Sequence, residues 1–237
     1  MEQELVWITG ASTGIGRACA KALAASGRTV IVSARRKQGL LSLVAEIKAA
    51  EGHAVAIVCD VSDEVDVDWA VKSIRKTYGR GPDILINNAG ISPYQDIEDT
   101  TTEVFDQVIN TNLVGNFLCA KAVLPDMIER GKGSIVQMLS IASRKGFAGG
   151  TAYGSSKFAS LGFTEALREE VRRKGIRVIA VLPGATETPT WDPAEREEFH
   201  DRMMQPEDIA AAIVAALDEP QRVLVEELLI RPIGGDL

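Results

Sequence analysis

The chain has 237 residues, 46% hydrophobic and 25% charged, with a mean hydropathy of +0.04. That composition supplies apolar surface for a full core and excludes a disordered chain. A net charge of −7 without a Lys/Arg-dense stripe, and no apolar run near the ~18 residues of a membrane helix, argue against nucleic-acid and membrane partners.

Met1–Leu5 has no basic segment of the secretory kind and leads directly into an apolar run. Strands are expected at Leu5–Thr9, Thr29–Ser33, Ala54–Cys59, Ile84–Asn87, Ser134–Ser140, Arg177–Leu182 and Val223–Ile230. Several are nearly continuous apolar runs, the pattern of strands buried on both faces. Between them the 3.6-residue period predicts helices over about 14–26, 38–50, 64–78, 102–130, 151–174 and 206–218. Asp63 and Pro206-Glu207-Asp208 are helix-start signals. Strands alternating with helices give βαβ units, hence a doubly wound, seven-stranded parallel sheet of Rossmann type with helices on both faces. No internal repeat or composition shift divides the chain, so residues 1–237 are expected to form one domain. Residues 185–205 hold Pro189, Pro193 and several charges without a strand pattern, and follow a strand's C-terminal end. They are expected to be a mobile substrate loop. Cys19, Cys59 and Cys119 are too widely spaced for a metal knuckle, and His53 and His200 are the only histidines. No zinc or disulfide scaffold is expected, and the cysteines read as buried apolar groups in a reducing cytoplasm.

The first strand ends in Thr9-Gly10-Ala11-Ser12-Thr13-Gly14-Ile15-Gly16, and a helix pattern follows at once. Glycines there allow a tight turn, close backbone approach to a pyrophosphate, and a helix N-terminus aimed at the anion. This turn resembles the cofactor motif of the short-chain dehydrogenase/reductase family, and further segments match the family in order. Asp60-Val61 follows the third strand, and Asn87-Asn88-Ala89-Gly90 follows the fourth. Asn112 stands at the position of an active-site asparagine. Ser140 precedes Tyr153 by thirteen residues, and Tyr153 with Lys157 forms YxxxK. Pro183-Gly184, with Thr186 and Thr188, matches the segment beside the nicotinamide. Leu139 and Gln137 depart from the family's frequent Ser and Asn. The match covers essentially the whole chain.

The second strand runs into Ala34-Arg35-Arg36-Lys37, and no acidic residue occurs between Arg28 and Ala45. An NAD-selective fold places a carboxylate here for the ribose 2′-hydroxyl, whereas a guanidinium pairs with a 2′-phosphate. NADP(H) is therefore the expected cofactor, with Arg35 the main contact and Ser12, Arg36 and Arg17 weaker candidates.

YxxxK on a helix puts Tyr153 and Lys157 one turn apart on one face. A nearby ammonium stabilises phenolate and lowers a phenol's pKa, which makes Tyr153 the expected general acid for carbonyl reduction. Ser140 would hold and polarise the substrate carbonyl. The resemblance implies that Lys157 also bonds the nicotinamide ribose, and that Asn112 holds a water relaying protons between Lys157 and solvent.

Trp191 is the expected substrate contact; with Phe199, Phe147 and Tyr94 it could wall a planar pocket, or it could anchor the loop to the body. The segments 203–210 and 225–232 resemble the bacterial sepiapterin reductase-like branch. That implies a small-molecule carbonyl substrate, with 3-oxoacyl-thioester and diketone or hydroxy-acid reduction as alternatives. A non-catalytic NADP(H)-binding regulator is the alternative of another class. Val114, Phe117, Leu118 and Val123, with Phe158, Leu161, Phe163 and Leu167, either cover the sheet or form a dimer or tetramer interface.

Overall fold

A computed structural model describes residues 3–237. Parallel strands β1 (Leu5–Thr9), β2 (Thr29–Ala34), β3 (His53–Val58), β4 (Ile84–Asn87), β5 (Gly133–Met138), β6 (Ile176–Pro183) and β7 (Glu227–Ile230) form one sheet in the order 3-2-1-4-5-6-7. The order reverses between β1 and β4, whose C-terminal ends open the crevice where doubly wound sheets take ligands.

Alternation along β1 explains the two cores. Val6 and Ile8 face α1 (Gly14–Ala25), α2 (Lys37–Ala49) and α8 (Pro206–Asp218), packing on Leu23, Leu43 and Ile213. Leu5 and Trp7 face α3 (Glu64–Tyr78), α5 (Gly115–Arg130) and α6 (Thr151–Val171), packing among Ile74, Val123 and Leu167. Trp7 is fully buried, and its indole N–H donates to Ser33 Oγ at 2.8 Å, so the one polar atom of the ring is satisfied. Asp63 caps α3 by accepting from Val65 and Asp66 N–H, and Gly79 ends that helix with φ +73°.

Four expected boundaries change. The 102–130 helix is broken into α4 (Thr102–Ile109), a π-helical turn at Asn110–Val114, and α5. Its apolar period survives an inserted residue, so the sequence does not show the break. The fifth strand ends at Met138, leaving Ser140 as the cap of a short 3₁₀ turn over Ile141–Ser143. The last strand is only Glu227–Ile230; before it Val223 N–H donates to the Pro220 carbonyl in a turn, and the Glu226 carbonyl accepts from both Ala180 N–H and the Arg168 guanidinium. Residues 185–205 are not structureless: α7 (Pro193–Phe199), capped by Asp192, lies inside them. The two ends of that segment pair at Thr186 and Met204.

Candidate active site

Gly10 and Gly14 carry φ of +63° and +56°, which L side chains rarely adopt. A Cβ on Gly10 would sit 2.7 Å from Ala89 Cα, and one on Gly16 would sit 2.3 Å from Asn88 Nδ2. The turn is thus pressed against the β4 end. Asn88 Nδ2 donates to the carbonyls of Thr9 (3.0 Å) and Gly10 (3.1 Å), and Thr9 Oγ1 accepts from the N–H groups of Asn88 and Ala89. The N-cap Thr13 makes no side-chain cap, and no acidic residue occupies the first turn of α1. Its first N–H groups and the dipole are left for an anion.

Ser12, Thr13, Gly14 and Ile15 line a cleft of about 1540 Å³ that runs past Asn88, Ala89 and Gly90. It exceeds the ~1,000 Å³ of a large drug-sized pocket and suits a dinucleotide with a second ligand. At one end stand Arg35 and Arg36, both exposed and in no ion pair among the described residues. Arg17 is placed elsewhere: its guanidinium pairs with Glu46 at 2.5 Å and braces the carbonyls of Ser12 and Gly39. Asp60 and Val61 line the same end, where Asp60 accepts from the Ser62 N–H and hydroxyl. No carboxylate occupies the β2 terminus, so the residues present fit a 2′-phosphorylated dinucleotide.

Ser140, Tyr153 and Lys157 converge on the cleft's middle. Extended backbone at Ser140 (φ −168°, ψ 162°) turns its side chain back to accept from Ala142 N–H at 3.1 Å, and its hydroxyl shares the cleft wall with the Tyr153 phenol. Lys157 Nζ lies 5.7 Å from the Tyr153 ring centroid and donates to the Met138 carbonyl at 2.9 Å. Burial pulls the Lys157 ammonium down from 10.5 to about 8. Burial likewise pushes the Tyr153 phenol up to about 12, with the Ser140 hydroxyl acting the other way. The sequence expectation of a lowered phenol pKa is therefore not met by these protein groups alone: desolvation outweighs a lysine set beside the ring and already tied to a carbonyl.

Asn112 lies in the π-helical turn, fully buried behind the cleft wall. Its amide clasps Ile91, with the Ile91 N–H donating to Oδ1 and Nδ2 donating to the Ile91 carbonyl, both at 2.9 Å; Nδ2 also reaches Ser156 Oγ. A Cβ on Gly90 would meet Asn112 Oδ1 at 3.2 Å and Lys157 Nζ at 3.9 Å, so this glycine is the window between the cleft, which Lys157 lines, and Asn112 behind it. Gly16 too sits behind the wall, serving the close packing on Asn88. Gln137 is fully buried, and neither its amide nitrogen nor its oxygen has a partner among the described residues.

Pro183, Gly184, Thr186 and Thr188 form the floor, and Trp191 lines the cleft with Tyr94, Phe147 and Phe199. The Tyr94 and Tyr153 rings lie 5.9 Å apart. Sequence reasoning missed Asp236 and Leu237, which also line this end. No local pattern marks them, because only β7 and the turn after it bring them there.

This fold and site define a dinucleotide-dependent oxidoreductase class, and comparison with known proteins specifies it. A family model described as short chain dehydrogenase matches residues 4–198, and the chain belongs to that family. A sepiapterin reductase of Chlorobaculum tepidum is 36% identical, over 99% of this chain and 98% of its own. Among solved structures, a metagenomic short-chain oxidoreductase in complex with NADP has a TM-score of 0.86 at 30% identity, covering 97% of this chain and 96% of its own. An actinorhodin polyketide ketoreductase with NADPH has a TM-score of 0.89 at 32% identity, covering 96% and 95%.

Proposed function

We propose that the protein is an NADP(H)-dependent carbonyl reductase, acting on a small planar carbonyl compound of the sepiapterin type. The observation that carries it is the convergence of Ser140, Tyr153 and Lys157 on one cleft wall, with Lys157 Nζ 5.7 Å from the Tyr153 ring centroid. The Gly10–Ile15 turn would hold the pyrophosphate, Arg35 and Arg36 the 2′-phosphate, Asp60 and Val61 the adenine end. Asn88, Ala89, Gly90 and the Pro183–Thr188 floor would hold the nicotinamide half. When bound, the cofactor supplies the hydride.

Tyr153 donates its proton to the carbonyl oxygen as the carbon is reduced, and takes it back in alcohol oxidation. The Ser140 hydroxyl donates to the same oxygen and orients it. Lys157, close behind the ring, stabilises the phenolate left by proton transfer and would bond the nicotinamide ribose. Asn112 acts by holding the Ile91 backbone, and so the Gly90 window, in place.

The lining supports an uncharged substrate. Aromatic rings of Tyr94, Phe147, Trp191 and Phe199 stand with Asp192, Glu195 and Asp236, and the lining cations are Lys157 and the distant Arg35 and Arg36. That disfavours an anionic thioester carried by an acidic partner. A cytoplasmic setting is supported by free, buried Cys19, Cys59 and Cys119.

The test is oxidation of NADPH against sepiapterin, a vicinal diketone and an acetoacetyl thioester in parallel, with Tyr153→Phe as the paired variant. A preference for sepiapterin and a roughly 10²–10⁴-fold loss of kcat in Tyr153→Phe with NADPH binding retained are expected. Undiminished turnover by that variant refutes the assigned acid; no turnover of any carbonyl by the wild type favours a regulator that only binds the dinucleotide.

A further inference from the structure

The segment after β7 reaches the substrate end by a tight turn. Ile230 pairs with Pro183 at the end of the sheet, and Gly184 N–H donates to the Ile230 carbonyl at 2.7 Å. The chain then packs over the floor, where a Cβ on Gly184 would lie 3.0 Å from Pro232 Cδ. Gly235, with φ +89°, closes a turn by donating to the Pro232 carbonyl at 2.9 Å. Asp236 and Leu237 are thereby delivered to the cleft.

There the Asp236 carboxylate meets cations from separate segments. Arg231 reaches Oδ1 at 2.7 Å through Nη2 and at 3.1 Å through Nε, and Lys145 Nζ reaches Oδ2 at 3.0 Å. Arg202, at the end of the 185–205 segment, donates to the Asp236 carbonyl at 3.4 Å. The Asp236 side chain is only 15% exposed, whereas Lys145 and Arg231 are 59% and 46% exposed. Lys145 follows Ser140 by five residues and lies 5.1 Å over the Phe147 ring, itself part of the lining. The Asp236 carboxylate thus joins the stretch after Ser140 to the segment after β7, and its backbone carbonyl ties in the end of the substrate loop.

We propose that Asp236 is a positioning residue for the substrate site, an ionic anchor that fixes residues 231–237 as one wall of the cleft with Leu237 as the wall's apolar face. The proposal rests on the reading that this end of the cleft takes the carbonyl compound. Both oxygens of the carboxylate are engaged, so its work is to hold the rim. The cations are partly exposed, which makes the anchor soft and sensitive to salt.

The experiment pairs steady-state kinetics with hydrogen exchange on the full chain. Asp236→Asn is expected to raise the KM of a planar carbonyl substrate by about threefold to tenfold while moving kcat and the NADPH KM by less than about twofold. Asp236→Glu, which keeps the charge, recovers most of that loss. Added salt raises the wild-type KM toward that of Asp236→Asn and leaves the variant unmoved. Leu237→Ala raises KM for the planar substrate more than for a small diketone. In exchange, Asp236→Asn opens the amides of 231–237 and 141–149 and leaves those of 9–17 unchanged. Unaltered exchange at the rim overturns the anchor whatever the substrate proves to be. Altered exchange with an unchanged KM, or with kcat and the NADPH KM lost in equal measure, overturns the positioning role. A wild type that reduces no carbonyl refutes the proposed function separately, and the exchange result still decides the anchor.

Discussion

Gly16→Ala tests whether the glycine turn is built by close packing. A methyl at this position would lie 2.3 Å from Asn88 Nδ2 and 2.8 Å from the Gly10 carbonyl oxygen. Neither is a loose side-chain end: Asn88 Nδ2 is held by the carbonyls of Thr9 and Gly10, and Gly10 belongs to the turn itself. Relieving the clash by moving Asn88 breaks two hydrogen bonds at ~0.5–1.5 kcal/mol each, and overpacking adds ~1–3 kcal/mol. The sum is ~2–6 kcal/mol, which for a chain of this size lowers Tm by roughly 4–24 °C. Dinucleotide affinity falls as well, because the displaced Gly10 and Asn88 shape the wall that would face the cofactor. The assay is thermal unfolding by circular dichroism with a parallel NADPH fluorescence titration. Gly162→Ala is the control: it lies within α6 with nothing within 4 Å of the new methyl, so helix propensity alone should raise stability by up to ~1 kcal/mol. A Gly16→Ala protein that melts with the wild type and binds NADPH equally well refutes the packing argument.

Arg35→Asp should lower the NADPH/NADH ratio of kcat/KM by about tenfold or more, since a charged contact gives way to repulsion; an unchanged ratio in steady-state kinetics removes Arg35 as the 2′-phosphate reader. Buried Lys157 and partly buried Tyr153 predict opposite pH signatures. Between about 8 and 10.5 Lys157 is deprotonated in the folded chain and protonated in the unfolded one, so its contribution to stability rises with pH across that window. Between 10 and about 12 Tyr153 keeps its proton only when folded, so its contribution falls. Melting curves of the wild type and Lys157→Met should therefore converge as pH rises from 8 to 10.5, and parallel curves would show that the lysine is not desolvated. Phe117 and Phe158 are 44% and 49% exposed on α5 and α6, whereas Leu118, Val123 and Leu167 are buried in the core. Size exclusion should give a multiple of 25.5 kDa for the wild type and a smaller species for Phe158→Glu; a wild-type monomer rules out pairing through this face.

What could be read from the sequence was local. The turn at Gly10–Gly16 and the YxxxK pair are legible because their chemistry follows from spacing on a strand end and on a helix. The sheet was legible because strands covered on both faces must be apolar throughout, as Val30–Val32 and Val178–Leu182 are. The π-helical turn was not, because an added residue leaves apolar positions on either side still amphipathic. It shows only through what it places: Asn112 between Ile91 and Ser156, with its carbonyl taken by Ser160 Oγ. The acid–base pair illustrates a second limit. Spacing puts Lys157 one turn from Tyr153, but spacing carries no information about solvent. The ammonium is drawn to the Met138 carbonyl and the phenol is largely desolvated, which favours the protonated phenol on Tyr153. This is the form a reductase needs. The lowered pKa expected from the sequence requires a further positive charge beside the ring, which an oxidised nicotinamide would bring. The same site would then hold its proton ready before reduction and release it more readily when alcohol is to be oxidised.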